Sequence, residues 1–446
     1  MSTSPADDGG RFPEGIEPGL RRPGDRARAT AEAAARHSYG RLLAFVCACT
    51  RDVAAAEDAF AAAFEAALRD WRAHGVPASP EAWLLTTARR QAIDAARRRR
   101  THDAAVPDLL LFGELSTATA EGEAIAARRA IPDDRLLLMF ACAHPAIERS
   151  VRAPLMLQTI LGFDAATIAS AFLVAPATMG QRLSRAKARI KQAGVPFRLL
   201  DPDDLPERLA SVLEAIYAAF SEGWSDPAGT EARRRNLTGE GIWLGQLVAA
   251  LLPEAPEALG LVALMLHAQA RRGARRDAQG GYVPLAAQDP ALWEAALIDR
   301  AGALLLRASR LGAIGRYQLE AAIQSAHGIR RRTGHADWPA IAQLYDALLA
   351  LTGSPVVAIN RAVAIAETRG TGVGMAALDG VAADPRIADY QPYWAARAGL
   401  LAKAGDATAA DSACARAIGL GADPAVRGFL QERRKKLRGD GPRSET

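Results

Sequence analysis

Apolar side chains recur every three or four positions over almost the whole length of this chain, and Val, Ile and Thr never gather into the alternating runs that build half-buried strands. That spacing places one apolar stripe on each of a series of helices. The abundance of Ala, Leu, Arg and Glu, all good helix formers, agrees with it. The chain is therefore expected to be all-α. At 446 residues it exceeds what one hydrophobic core holds, since single cores stop growing at about 250 residues, so several packed units are expected.

Breaks in the periodicity suggest where the units lie. A Pro/Gly-rich start over residues 1–35 is expected to be disordered, and residues 36–100 read as a first helical domain. Residues 101–132 have no sustained period and hold five acidic against two basic residues, which makes them a linker. A second small helical domain covers 133–198. Long Ala/Leu helices broken by Gly and Pro fill 199–337, paired helices recur over 338–437, and a short tail, 438–446, ends the chain. In the last pair, Trp394, Ala398, Leu401, Gly405, Ala410 and Ala417 fall where a tetratricopeptide repeat wants bulky, small, bulky, turn, small and small residues.

Charge is unevenly placed along these segments. Residues 1–198 carry 27 Lys+Arg against 22 Asp+Glu, whereas 199–446 carry 28 of each, so a polyanion-binding surface belongs to the first part. Its sharpest signal runs from Asp164 to Gly194: a short helix, a break at Leu173-Val174-Ala175, and a longer helix opened by Pro176, which is the rhythm of a helix-turn-helix. At 100° per residue, Thr178, Gln181, Arg182, Arg185 and Arg189 share one side of the second helix, and Met179, Leu183, Ala186 and Ile190 share another. Residues 176–198 hold six basic side chains and no acidic one. A second basic surface is expected on the helix from Glu81 to Arg100, where Leu84, Leu85, Ala88, Ala92 and Ala95 form the inward stripe and Arg90, Arg97 and Arg98 point away from it.

Two strings carry a resemblance. AEDAFAAAFEAALRDW with PEAWLLTTARRQAIDAARRRR, within 56–100, resembles the second conserved region of sigma-70 family proteins, and residues 133–197 resemble their fourth region. The motif FLVAPATMGQRLSRAKARIKQAGVPF, followed by YQLEAAIQSAH and SPVVAINRAVAIAE, is similar to extracytoplasmic-function sigma factors with a tetratricopeptide-like C-terminal extension. The resemblance implies that Glu57 and Asp58 dock core RNA polymerase. It implies that the loop from Arg72 to Ser79, with the helix behind it, traps the opened minus-ten promoter DNA, and that the helix-turn-helix reads the minus-thirty-five duplex. Relatives of this kind often have a small YCII-like protein encoded beside them. The chain departs from the pattern at Arg90, where Asn is common, and at Leu173, where Gly is usual. Arg at the first position exchanges a base-edge reader for a phosphate contact.

Other chemistries find little footing. Cys47, Cys49, Cys142 and Cys414 include no Cys-x-x-Cys pair, and the seven histidines form no metal-binding motif, so neither a cofactor nor a metal is expected. RGTGVGMAAL at Arg369 superficially resembles a dinucleotide fingerprint, but Gly370, Gly372 and Gly374 have the wrong spacing and follow a helix. There is no nucleophile elbow or phosphate loop, and catalysis is not expected. No stretch is long and apolar enough to span a membrane, and a cytoplasmic protein is expected. The rival reading is a helix-turn-helix regulator whose repeat arm binds a protein without acting as a polymerase subunit. It leaves the segment 56–100 unexplained.

Overall fold

A computed structural model describes residues 23–102, 134–172, 174–195, 197, 205–224, 232–421 and 423–439. Among them the fold is all-α and no strand forms, with a single isolated bridge between Arg276 and Tyr282. The expected linker at 101–132 and residue Leu173 lie almost wholly outside the described residues.

The described chain divides into two compact units. The first draws on Met1–Ala141, Met156–Phe163 and Ser184–Leu199, and the second on Cys142–Leu155, Asp164–Leu183 and Leu200–Thr446. The first unit opens with α1 (Pro23–His37), which falls largely inside the stretch expected to be disordered. Ala27, Ala31 and Ala34, spaced at i, i+4 and i+7, are buried there, a stripe so small that its apolar periodicity is easily read as low complexity. Then come α2 (Tyr39–Thr50), α3 (Val53–His74) and α4 (Pro80–His102), where α3 packs on α1, α2 and α4.

Asp52 caps α3 by accepting from the Ala55 N–H at 3.1 Å, and Gly75 closes the helix with a positive φ of 88°. The buried stripe Val53, Ala56, Phe60, Ala63, Ala67 and Trp71 supplies the core, and the Trp71 ring meets Trp83 of α4 edge-on at 5.5 Å. Glu81 ties α4 to the N-terminal end of α2 through Arg41 at 2.7 Å and through the Ser38 hydroxyl. Three further helices contribute segments to this unit: α5 (Arg135–Cys142), α6 (Arg149–Leu161) and, after the short α7 (Ala165–Ala171), the C-terminal half of α8 (Pro176–Gln192). Gly40 of α2 lies so close to α6 that a Cβ there would sit 2.1 Å from the Ile160 carbonyl oxygen.

In the second unit α9 (Leu205–Trp224), α10 (Ala232–Leu251), α11 (Pro256–Ala270), α12 (Ala295–Arg310) and α13 (Arg316–Gly328) pack in succession. α11 is buried nearly all round, from Ala258 to His267, as an apolar helix surrounded by neighbours must be. Its Glu257 accepts from the Tyr317 and Gln318 N–H groups at 2.9 and 3.0 Å and so caps α13.

The one-turn α14 (Arg330–Thr333) leads to α15 (Trp338–Thr352), which packs on α13. Then follow α16 (Pro355–Arg369), α17 (Thr371–Asp379), α18 (Gln391–Lys403), α19 (Ala407–Leu420) and α20 (Pro424–Gly439). Gly370 turns the chain between α16 and α17 with φ 93°, so the glycine-rich string is a helix connection. Ala398, Ala410 and Ala417 are buried where α18 meets α19, and Gly405 makes the turn between them at φ 86°.

Candidate nucleic-acid interface

The segment expected to form a helix-turn-helix consists of the two helices α7 and α8, each started by its own capping residues. Asp164 accepts from the Thr167 N–H at 2.7 Å and from its hydroxyl at 2.9 Å, which starts α7. Ile168 and Ala169 are buried, the Val174 N–H returns to the Ala169 carbonyl at 2.9 Å, and Pro176 opens α8. Along α8, Met179, Leu183, Ala186 and Ile190 are buried, whereas Thr178, Gln181, Arg182, Arg185 and Arg189 are all exposed. One face packs and the adjoining face offers three guanidinium groups and two short polar side chains to solvent. These are the side-chain types that reach base edges and phosphates in a major groove.

The second basic surface lies on α4. Leu84, Ala88 and Ala92 are buried, while Leu85 and Ala95 are only half-buried, so the inward stripe is narrower than its sequence suggests. Arg90, Arg97 and Arg98 are exposed, and Arg98 Nε donates to the Asp94 carbonyl at 3.3 Å. The loop before the helix presents Ala78 and Ser79 to solvent, with Val76 and Pro77 half-buried.

The two acidic residues on α3 part company. Asp58 is exposed, but Glu57 does not lie on an open helix face: its carboxylate is ion-paired with Lys187 of α8, with 19% and 11% of the two side chains exposed. Lys191, one turn on, reaches Asp52 at 2.8 Å. By helical geometry both lysines lie on the flank of the α8 apolar stripe opposite the arginines. The helix therefore has two basic flanks, one turned to solvent and one clasped to α3. Burial, followed by the neighbouring charge of Asp58, pushes the Glu57 carboxyl above its ordinary value against the pull of Lys187, and Glu57 Oε1 is buried with no hydrogen-bond partner. The lysine pair at i and i+4 was visible in the sequence, but nothing local could say which helix would face it.

The comparisons with known proteins bear on the same segments. Residues 35–102 match the model of sigma-70 region 2, and residues 208–309 match a family of unknown function, DUF6596. An uncharacterized protein of Rhizobium meliloti (strain 1021), R00370, is 38% identical over 381 residues, which span 85% of this chain and 89% of the relative. No solved structure matches the chain. With a sigma-70 region 2 formed by α2 to α4 and a likeness to R00370 that runs through both units, the chain belongs to one family with that protein and is a member of the sigma-70 family.

Proposed function

We propose that this chain is a sigma factor of the extracytoplasmic-function type, which binds core RNA polymerase and directs initiation at its own promoters. The observation that carries the reading is the sigma-70 region 2 at 35–102, together with a helix-turn-helix whose polar face, Thr178 to Arg189, is entirely exposed. In this reading α8 enters the major groove of the minus-thirty-five element, and Arg90, Arg97 and Arg98 hold the backbone of the opened minus-ten element. Asp58 and Glu57 meet the polymerase, and the helix pairs from α15 onward act as tetratricopeptide-like repeats that support or regulate the promoter-binding part.

The clasp between α8 and α3 has a consequence under this reading. The two promoter elements lie about 25 base pairs, or about 85 Å, apart along B-form DNA. A helix in contact with α3 cannot read the far element while α4 holds the near one. Engagement with polymerase would therefore replace the Lys187–Glu57 and Lys191–Asp52 pairs and let α8 move away.

Run-off transcription with purified core enzyme on the DNA upstream of the chain's own coding sequence tests the proposal. Specific initiation that depends on the added chain is the expected outcome. Binding to that DNA without any affinity for core enzyme would favour a helix-turn-helix regulator instead.

A further inference from the structure

The second unit contains a cavity of about 560 Å³ that none of the promoter-binding residues touches. It lies among α9, α11, α13, α15 and α16, and its polar lining includes Arg316, Glu320, Gln324 and Tyr345 beside the hydroxyls of Thr352 and Ser354. Leu264, Ile323 and Val357 supply an apolar side. The volume falls within the range of small-molecule sites, and the lining pairs an apolar side with a polar one.

The hydrogen-bond inventory of the wall decides what kind of molecule it suits. The one acid in the wall, Glu320, is ion-paired there: its Oε1 accepts from Arg316 Nε at 2.7 Å, which leaves the guanidinium's terminal nitrogens as further donors. Gln324 is oriented from behind: its Oε1 accepts from Arg271 Nη2, so its amide nitrogen is the end left for a ligand. Burial keeps the Tyr345 phenol protonated, pushing it up to about 12, which makes it a donor at any ordinary pH. The wall thus offers donors from Arg316, Gln324 and Tyr345, and its one carboxylate is paired with a cation.

Behind that wall stands the Arg271 guanidinium, which forms no ion pair among the described residues. The hydrogen bonds of Arg271 go to neutral partners, the His267 carbonyl at 3.3 Å and the Gln324 amide. Burial, with Arg275 adding to it, pushes Arg271 down to about 10. His267 and His327 sense the same field: burial first and Arg271 next hold both at about 4, so they add no charge of their own. An enclosed cation that lacks a carboxylate is costly, and an anion arriving at the neighbouring wall would lower that cost.

We propose that this cavity is a binding site for a small organic anion, whose carboxylate or phosphate is held by Gln324, Tyr345 and Arg316 in the field of Arg271, with its apolar body against Leu264 and Ile323. The proposal does not depend on the sigma-factor reading.

Titration calorimetry on the full-length protein tests it at constant ionic strength. The probes are acetate, succinate, citrate, benzoate and inorganic phosphate, with succinamide as an uncharged counterpart. Saturable binding of at least one anion is expected, weakened about tenfold by Tyr345→Phe, the loss of one hydrogen bond to a charged group, and at least as much by Gln324→Leu. Arg416→Ala, remote from the cavity, should leave it unchanged. Circular dichroism melts establish that the variants are folded, and if Gln324→Leu does not fold, Tyr345→Phe, which removes one oxygen, decides alone. Preference for phosphate over all carboxylates, or the reverse, identifies which source supplies the charge. No binding of any anion below about 10 mM overturns the proposal. So does equal binding of succinamide, or binding that both cavity variants leave intact.

Discussion

Lys187 and Glu57 form an enclosed ion pair between α8 and α3. Removing one partner of an enclosed ion pair strands the other, at a cost of about 3 kcal/mol, whereas replacing both by apolar groups of similar length can be close to neutral. Lys187→Ala should therefore lower stability by about 2–4 kcal/mol, and Lys187→Met combined with Glu57→Met should recover most of it, as measured by urea unfolding. Glu57→Lys would bring two cations together inside the fold, so Asp58→Lys is the variant that reports polymerase docking alone. On the other flank of α8 the expectation is opposite. Arg182→Ala and Arg185→Ala should leave the melting temperature unchanged, because both side chains are exposed, and should weaken promoter binding by about 1–3 kcal/mol each where they meet bases. A shallower salt dependence in gel-shift titrations would mark a phosphate contact instead. Which residues of α8 face outward was legible from the 100° spacing. That Lys187 belongs to neither the packed face nor the open one was not, because its partner lies 130 residues away.

At the scale of the element, two close arrangements can be tested. A Cβ at Gly40 would meet the backbone of α6 rather than a side chain able to turn aside, so Gly40→Ala should force α2 and α6 apart and cost about 1–3 kcal/mol in urea melts. Ser in place of the exposed Gly75 loop residue would test something else, the positive φ alone. Within α11, His267 is buried and its Nε2 has no hydrogen-bond partner. A histidine held near 4 by burial and by Arg271 takes up a proton more readily in the unfolded chain, whose ordinary value is 6.5. Its contribution to stability is accordingly present above pH 6.5 and is lost as pH falls from 6.5 towards 4. Replacing it with Leu should flatten the pH dependence of the thermal midpoint across that window, and an unchanged slope would show that other groups, the similarly lowered His327 and the carboxylates, set it. The helices themselves were readable from period and caps, as Asp52, Asp164 and Asp337 show by accepting from the first turns of α3, α7 and α15. The helix α1 is not legible in the same way, because an alanine stripe beside Pro and Gly has the composition of a disordered tail.

For the whole molecule, the decisive comparison is between the full chain and a fragment ending at residue 201. In the second unit, helix α7 packs on α10, and Arg149 of α6 pairs with Glu214 of α9. Cutting the chain there removes α9 and α10 and exposes surface that α6 and α7 bury against them. The fragment should melt at a lower temperature than the full chain and give less run-off transcript at equal folded concentration. A fragment that transcribes more strongly would identify the extension as a restraint on the promoter-binding part rather than a support for it.

The sequence alone determined the all-α class, the packed and open faces of α8, and the likeness of 56–100 to sigma region 2, because each of these is encoded in spacing within a few turns of one helix. Tertiary structure decided the rest: that Glu57 is clasped by Lys187, that α7 and α8 draw on different units, and that Gln324, backed by Arg271, meets Tyr345 at one cavity. Those arrangements depend on which helix faces meet, and the same amphipathic stripes are compatible with many pairings until close approaches such as Gly40 against Ile160 select one.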